Sequence, residues 1–251
     1  MEPKKLFINI IKCIICCFGL IFTFFSIIAL MLFLSDPYKK RLTGFPRKDV
    51  WLSISWSLFI DMLLISTFIV QHSVLASSKI KLFFKRFGLE DLYRSFYIIS
   101  TSLVLQVLIS NWLYIPEITI WKLNLNYKPV WWLYFGIHTI SWILIYVGNI
   151  CMDVNELLGI KQVIYSMKNL PDPNRRKSQE LKNLSNHLRH PSFLAFTLLF
   201  WMNSTMSLDQ LLLATIFSSY MYVAWNTDHD DYIYQKNQYL LKFHELQKVQ
   251  S

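Results

Sequence analysis

The sequence has few charged residues, few glycines and few cysteines for its length. Only 16% of its 251 residues are Asp, Glu, Lys or Arg, against roughly 25% in an average soluble domain. Hydrophobic residues make up 54%, which is more than the interior of a soluble globule of this size can hold. Three of the four cysteines lie in one apolar run, which excludes a disulfide-stapled secreted scaffold. The six glycines provide no glycine-rich phosphate loop. A polytopic membrane protein remains.

Long apolar runs define the expected architecture. A spanning helix needs roughly 20 mostly apolar residues, and six segments qualify: about 13–34, 51–75, 95–115, 130–151, 192–206 and 208–225. The last two form one apolar stretch interrupted at 202–207, which predicts a tight helical hairpin. We therefore predict an all-α fold, with one integral membrane domain over 1–251 and a cytoplasmic or nucleoplasmic loop at 152–191.

The basic residues are unevenly distributed between the two sides of this topology. Eighteen of the 25 Lys and Arg residues fall on the side of both termini, and seven fall on the other side. The positive-inside rule then predicts cytoplasmic or nucleoplasmic termini, although the basic loop 35–50 is a contrary signal. The net charge of +9 is what basic loops beside anionic headgroups require. No nucleic-acid-binding motif is present, so we expect no direct nucleic-acid partner.

Three ionisable residues lie inside predicted spans. Asp61 is about ten residues into the second span, where an ionisable group is a functional candidate. His72 falls 11 residues later, on nearly the same helix face. His138 enters the fourth span from the same side as Asp61, which predicts a contact between them. We favour a structural polar bridge between helices over a proton or ligand site, and a transporter that uses Asp61 is a weaker alternative.

A second group of polar residues precedes the fifth span, in His187-Leu188-Arg189-His190-Pro191. Proline suits the first position of a helix, so we predict that the helix begins at Pro191. Its free N–H groups and positive dipole end would suit a carboxylate or phosphate, and Arg189 adds a fork of donors. An equally good interpretation is that Arg189 and the histidines reach towards lipid headgroups. The spacing of these histidines is weak evidence for a metal, so no metal site is predicted.

The hairpin would bring a third polar segment to the same membrane face. Asp228, Asp230 and Asp231 follow the last span, where carboxylates oppose the helix dipole and require a cationic partner. This predicts a pocket with a positive and a negative wall.

Two shorter patterns complete the interpretation. Residues 153–165 alternate polar and apolar side chains, which predicts that the fourth helix continues into an interfacial segment. Cys13-x-x-Cys16-Cys17 is interpreted as apolar packing, with palmitoylation as the alternative.

Several blocks in this order and spacing resemble the nurim family, the multi-pass proteins of the inner nuclear membrane. They run from about residue 51 to the C-terminus: Asp61 with Gln71-His72-Ser73, Arg94-Ser95-Phe96-Tyr97, Trp112 before Pro116, His138-Thr139-Ile140-Ser141-Trp142, residues 156–163, His187-Leu188-Arg189-His190-Pro191, and Asp209-x-Leu211-Leu212-Leu213. The resemblance implies residence in the inner nuclear membrane, with nuclear-envelope proteins as candidate partners.

Nurim is in turn distantly similar to the isoprenylcysteine carboxyl methyltransferases, which bind S-adenosylmethionine over an Arg-His-Pro motif. This similarity implies a methyltransferase-like helical fold and S-adenosylmethionine as a candidate cofactor. The cofactor-binding candidates that it implies are His187, His190, Phe193 and Asp228. The catalytic candidates are Arg189, Asp230 and Asp231.

The chain departs from the methyltransferase pattern in ways that disfavour activity. Asn183 and Ser185 stand where that pattern has Gly and Tyr, and Ala195 stands where it has Gly. Lost glycines remove close backbone approach to a ligand. Our leading hypothesis is therefore a structural or resident nuclear-envelope protein. The alternative is an S-adenosylmethionine-dependent methyltransferase that acts on a lipidated or lipid-like substrate.

Overall fold

The computed structural model describes residues 3–37, 42–43, 49–151, 153–170 and 189–224, with a few single positions beyond residue 232. In these ranges the helices are α1 (Pro3–Ser35), α2 (Val50–Ala76), α3 (Ser78–Arg86), α4 (Tyr93–Asn111), α5 (Lys128–Cys151), α6 (Val154–Leu157), α7 (Ile160–Met167), α8 (Arg189–Trp201) and α9 (Leu208–Ala224). The strands are β1 (Leu42–Thr43), β2 (Leu113–Tyr114), β3 (Thr119–Lys122) and β4 (Thr205–Ser207).

Four of these helices are long and apolar enough to cross a bilayer. They are α1, α2, α4 and α5, of 33, 27, 19 and 24 residues. The prediction of an all-α polytopic membrane protein is confirmed by them. Asp49 fixes the start of α2, because its carboxylate accepts a hydrogen bond from the backbone N–H of Trp51 at 2.9 Å. Helix α4 stops at Asn111, four residues before the predicted end of its span.

The predicted hairpin is present, but its helices are short. Helix α8 has 13 residues and α9 has 17, or roughly 20 and 26 Å at 1.5 Å per residue. A hydrocarbon core is about 30 Å thick, so six full crossings are not established. Helix α8 ends at Trp201 because the chain then enters β4, which pairs antiparallel with β3. It also includes Arg189 and His190, so the prediction that this helix begins at Pro191 is wrong.

Contacts between remote residues define the two ends of the bundle. At the amino face, where α1 begins, Lys12 forms an ion pair with Asp91 at 2.5 Å. There, too, the buried Cys16 Sγ lies 3.1 Å from Ser95 Oγ, in agreement with packing as the role of Cys16. At the turn face, the backbone N–H of Leu123 donates to the Ser204 carbonyl beside the hairpin turn. The apolar core between the faces includes Ile65, Leu108, Trp142, Ala195 and Leu199.

The prediction that the helix continues after α5 is wrong, because the segment that follows is broken into two short helices. Asp153 has φ 66° and Gly159 has φ 82°, and these left-handed residues divide the segment into α6 and α7. A Cβ at Gly159 would lie 2.9 Å from the Ser95 backbone nitrogen. Gly159 therefore permits both the turn and the close approach of this segment to α4.

Candidate functional site

The most heavily hydrogen-bonded carboxylate lies at the turn face. Asp209 is fully buried in the first turn of α9. Its oxygens accept from Trp112 Nε1 at 2.9 Å, from the Ile115 backbone N–H at 3.1 Å and from Ser207 Oγ at 2.6 Å. The side chain of Gln210 adds a fourth donor at 3.2 Å. Four donors at a helix N-terminus therefore fix the position of this carboxylate.

Asp61 binds the same short segment as Asp209. It is fully buried, and its Oδ1 accepts from the Leu113 backbone N–H at 2.9 Å. Its Oδ2 has no hydrogen-bond partner among the described residues. The two carboxylates thus hold residues 112–115 from α2 on one side and α9 on the other. This explains why the chain leaves the α4 helix after Asn111, because the backbone N–H groups of Leu113 and Ile115 donate to these carboxylates outside the helix.

The structure shows no hydrogen bond between Asp61 and His138 in the described residues, because each side chain bonds other groups. His138 Nε2 lies 3.1 Å from the Met202 carbonyl and Nδ1 lies 2.8 Å from Ser35 Oγ. Because a carbonyl oxygen only accepts, Nε2 carries a proton, and the neutral ring accepts at Nδ1 from the Ser35 hydroxyl. That hydroxyl also accepts from Trp142 Nε1 at 2.8 Å. His138 is therefore a polar bridge, as favoured, but it joins α5 to α1 and the hairpin turn.

His72 belongs to a separate polar group near the amino face. The Tyr97 hydroxyl lies 3.0 Å from the imidazole nitrogens, and the Phe68 ring stacks on the imidazole with centroids 5.6 Å apart. The Arg94 guanidinium lies over the Tyr97 ring at 5.1 Å, and its Nε donates to the Leu157 carbonyl at 2.7 Å. This group therefore links α2, α4 and α6.

An ion pair outside the spans stabilises the turn that follows α5. Lys161 Nζ lies 2.7 Å from Asp153 Oδ2, and Asp153 also accepts from the Glu156 backbone N–H as the N-cap of α6. The hydrogen bond between the two side chains is the main cause of both pKa shifts. It lowers the pKa of Asp153 and raises the pKa of Lys161. The pair links the two left-handed turns at this end of α5.

Most of the predicted cofactor pocket lies outside the described residues. This applies to His187, Asp228, Asp230 and Asp231, and to the side chains of Arg189 and His190. Phe193 is described, and it packs against the apolar core. The hairpin does bring the start of α8 and the end of α9 to the same end of the bundle, because α8 and α9 run antiparallel through the turn at 202–207.

Sequence reasoning overlooked Asp209 as a site residue and used it only as a landmark of the family resemblance. A signal was available, since Asp209 is the only acidic residue in the apolar stretch 192–225. An intramembrane carboxylate at the start of a helix requires donors. Ser35 carried no comparable signal, because a serine at the end of an apolar helix is common.

Comparisons with known proteins identify close relatives over most of the chain. A nurim homolog of Drosophila pseudoobscura pseudoobscura is 38% identical over 237 residues, which cover 90% of this chain and 92% of the relative. A nurim homolog of Drosophila melanogaster is 40% identical over 74% of each chain. Nurim of Mus musculus is 33% identical over 86% of this chain and 81% of its own length.

The other two comparisons add no relatives. No family model matches the chain, and no solved structure matches it. The matches to the curated relatives extend over at least 74% of both chains in each of these three cases. This chain therefore belongs to the nurim family.

Proposed function

We propose that this chain is a multi-pass resident of the inner nuclear membrane with a structural rather than a catalytic role. The membership of the nurim family supports the location, which the family resemblance implies. Both termini are proposed to lie on the nucleoplasmic or cytoplasmic side, as the bias of basic residues favours.

The observation that carries a structural role is how the buried polar groups are used. Asp209 receives four donors, and both nitrogens of His138 are hydrogen-bonded. These contacts connect α1, α5 and α9 to the hairpin turn and the 112–115 segment. Such bonds stabilise a particular arrangement of helices, and they leave these donors and acceptors engaged with the protein itself.

A localisation experiment tests this proposal. The full chain with a fluorescent tag is expected at the nuclear rim, with an epitope at either terminus accessible only from the nucleoplasmic or cytoplasmic side. Arg189→Ala and Asp230→Ala are expected to leave the rim location unchanged, because a structural role does not need the cofactor pocket. An even distribution through the endoplasmic reticulum would contradict the proposed location.

The alternative is an S-adenosylmethionine-dependent methyltransferase for a lipidated or lipid-like substrate. The antiparallel hairpin favours it, because the segments that hold Arg189 and Asp230 adjoin helix ends at the same face. In this case Arg189 and an acid among Asp228, Asp230 and Asp231 would position the substrate carboxylate and the sulfonium. His187, His190 and Phe193 would line the cofactor pocket.

Labelled S-adenosylmethionine binding to purified protein in nanodiscs separates these two functions. Micromolar binding that is lost in His190→Ala and Asp230→Ala, and retained in the turn-face control Lys122→Ala, would favour the enzyme. Absence of binding up to millimolar cofactor, by protein that is folded, would favour the structural role.

A further inference from the structure

Helix α3 concentrates positive charge at the amino face. Its nine residues contain four basic side chains and no acidic one: Lys79, Lys81, Lys85 and Arg86. None of the four forms an ion pair with a carboxylate in the described part of the chain. Lys81 Nζ lies 5.9 Å from the centre of the Tyr93 ring. The four basic side chains of α3 are therefore exposed at the surface of the protein.

The same helix exposes large apolar side chains. Leu82 and Phe83 on the helix and Phe87 at its C-cap are 56%, 55% and 66% exposed, and the ring centroids of Phe83 and Phe87 lie 4.8 Å apart. Phe84 is the anchor to the bundle, since its ring contacts Tyr93 at 5.5 Å and Phe96 at 5.3 Å. An exposed apolar ridge beside four cations is typical of a helix that lies in a membrane interface.

The position of α3 along the bundle agrees with that depth. Ser77 has ψ 149°, so the chain changes direction between α2 and α3 instead of continuing outward. The contact of Phe84 with Tyr93 and Phe96 places α3 beside the first turn of α4. Since α2 ends and α4 begins at this level, α3 lies where both spans leave the hydrocarbon.

We propose that α3 is a docking surface for the acidic phospholipid headgroups of the leaflet at the amino face. The exposed phenylalanines enter the boundary between headgroups and acyl chains, and the lysines and arginine contact the headgroup charges. Charge complementarity carries the choice of lipid, because the surface holds four cations without acidic neighbours on α3. The inference does not depend on which organelle the protein occupies.

Hydrogen exchange on the full chain in nanodiscs tests this proposal. The two preparations contain phosphatidylcholine alone or an equal mixture of phosphatidylcholine and phosphatidylserine. We expect amides of residues 78–86 to exchange more slowly in the acidic mixture, by about fivefold or more, since one basic residue near an anionic surface is worth about that factor. Raised salt is expected to reduce the difference, because it screens surface charge.

Matched variants separate lipid recognition from folding. Neutralising α3 with Lys79→Gln, Lys81→Gln, Lys85→Gln and Arg86→Gln should remove the lipid-dependent protection, while Lys122→Gln and Lys128→Gln at the turn face should retain it. Unchanged exchange in α2 and α4 reports that the variant is folded. If the fourfold variant does not fold, the double variant Lys79→Gln with Lys85→Gln should still weaken the lipid-dependent protection.

Three results would overturn the proposal. One is equal protection of α3 in the two lipid mixtures. Another is a lipid effect that persists in the neutralised variant. The third is protection by added duplex DNA in phosphatidylcholine nanodiscs without any response to phosphatidylserine, which would assign the basic surface to nucleic acid instead.

Discussion

Single side chains at the turn face differ in how completely they are hydrogen-bonded. Asp209 accepts four bonds, whereas Asp61 accepts one through Oδ1 and none through Oδ2 in the described residues. Removing one partner from a buried hydrogen bond leaves the other unsatisfied, which costs about 1–3 kcal/mol and more for charged groups. The two carboxylates should therefore respond differently to the same substitution.

We expect Asp209→Asn to destabilise the protein by about 2–3 kcal/mol, because a buried donor loses its carboxylate oxygen. Asp61→Asn should cost less, since an amide oxygen can still accept from the Leu113 N–H. Thermal unfolding of each variant in detergent measures this difference, with Glu117→Gln, at an exposed position of the same face, as the control. Equal losses for the two variants would contradict the assignment.

Two serines, the half-buried Ser35 and the buried Ser141, provide a second comparison at this scale. Ser35 Oγ bonds both His138 and Trp142, whereas the fully buried Ser141 Oγ has no partner in the described structure. Ser35→Ala should lower stability by about 1–3 kcal/mol, because it orphans two buried ring nitrogens. Ser141→Ala should be neutral or stabilising, since it removes an unsatisfied hydroxyl. Unfolding midpoints of the two variants that move together would count against this account.

At the scale of elements, the apolar helices were predictable and their interruptions were not. Runs such as 51–75 need no tertiary information to be assigned as spans, and α2 ends within one residue of the prediction. The departure of residues 112–115 from α4 depends on Asp61 and Asp209, which are distant in sequence. The helix break at Asp153 depends on a left-handed aspartate, a conformation that a non-glycine residue rarely adopts.

Gly159 is the position where the turn between α6 and α7 is most sensitive. We expect Gly159→Ala to destabilise the protein by about 1–3 kcal/mol, because φ 82° disfavours a side chain. Its Cβ would also meet the Ser95 backbone. Gly136→Ala is the matched control, since nothing lies within 4 Å of its added Cβ and alanine favours the helix. Comparable unfolding temperatures for these two variants would contradict the prediction.

The ion pair between Asp153 and Lys161 gives the same turn a dependence on pH. Because the pKa of Asp153 is lowered in the folded protein, its stabilisation is complete above the unfolded value of about 4 and is lost as the pH falls through the folded pKa. Lys161→Gln should therefore be less stable than the wild type at pH 7, and the difference should shrink as the pH is lowered from 7 to below about 4. A difference in unfolding midpoint that does not shrink between these pH values would exclude the pair as a contributor.

At the scale of the whole molecule, the hairpin determines where the chain emerges. Four long helices return the chain to the amino face, and α8 and α9 enter and return from that face, so their exact depth does not change the face at which α9 ends. Much of this topology was predictable from hydropathy, including the hairpin itself. The lengths of α8 and α9 were not, because β4 uses residues that hydropathy assigns to a span.

Tags at both ends and in the turn face test this topology. Tags before residue 3 and after residue 251 should be digested by a protease from the same side of sealed membranes. A tag inserted in the exposed turn at 124–126 should be protected. Opposite accessibility of the two terminal tags would require an odd number of crossings and would contradict the hairpin topology.

The clamp on residues 112–115 also has a consequence for biogenesis. Trp112 and Ile115 donate to a carboxylate that is synthesised 97 and 94 residues later. Until α9 has been translated and inserted, these donors lie at a membrane boundary without their native acceptor, at a cost that hydrocarbon surroundings increase. Completion of the fold therefore waits for the last part of the chain, and a nascent chain arrested before Asp209 exposes these two donors without their acceptor.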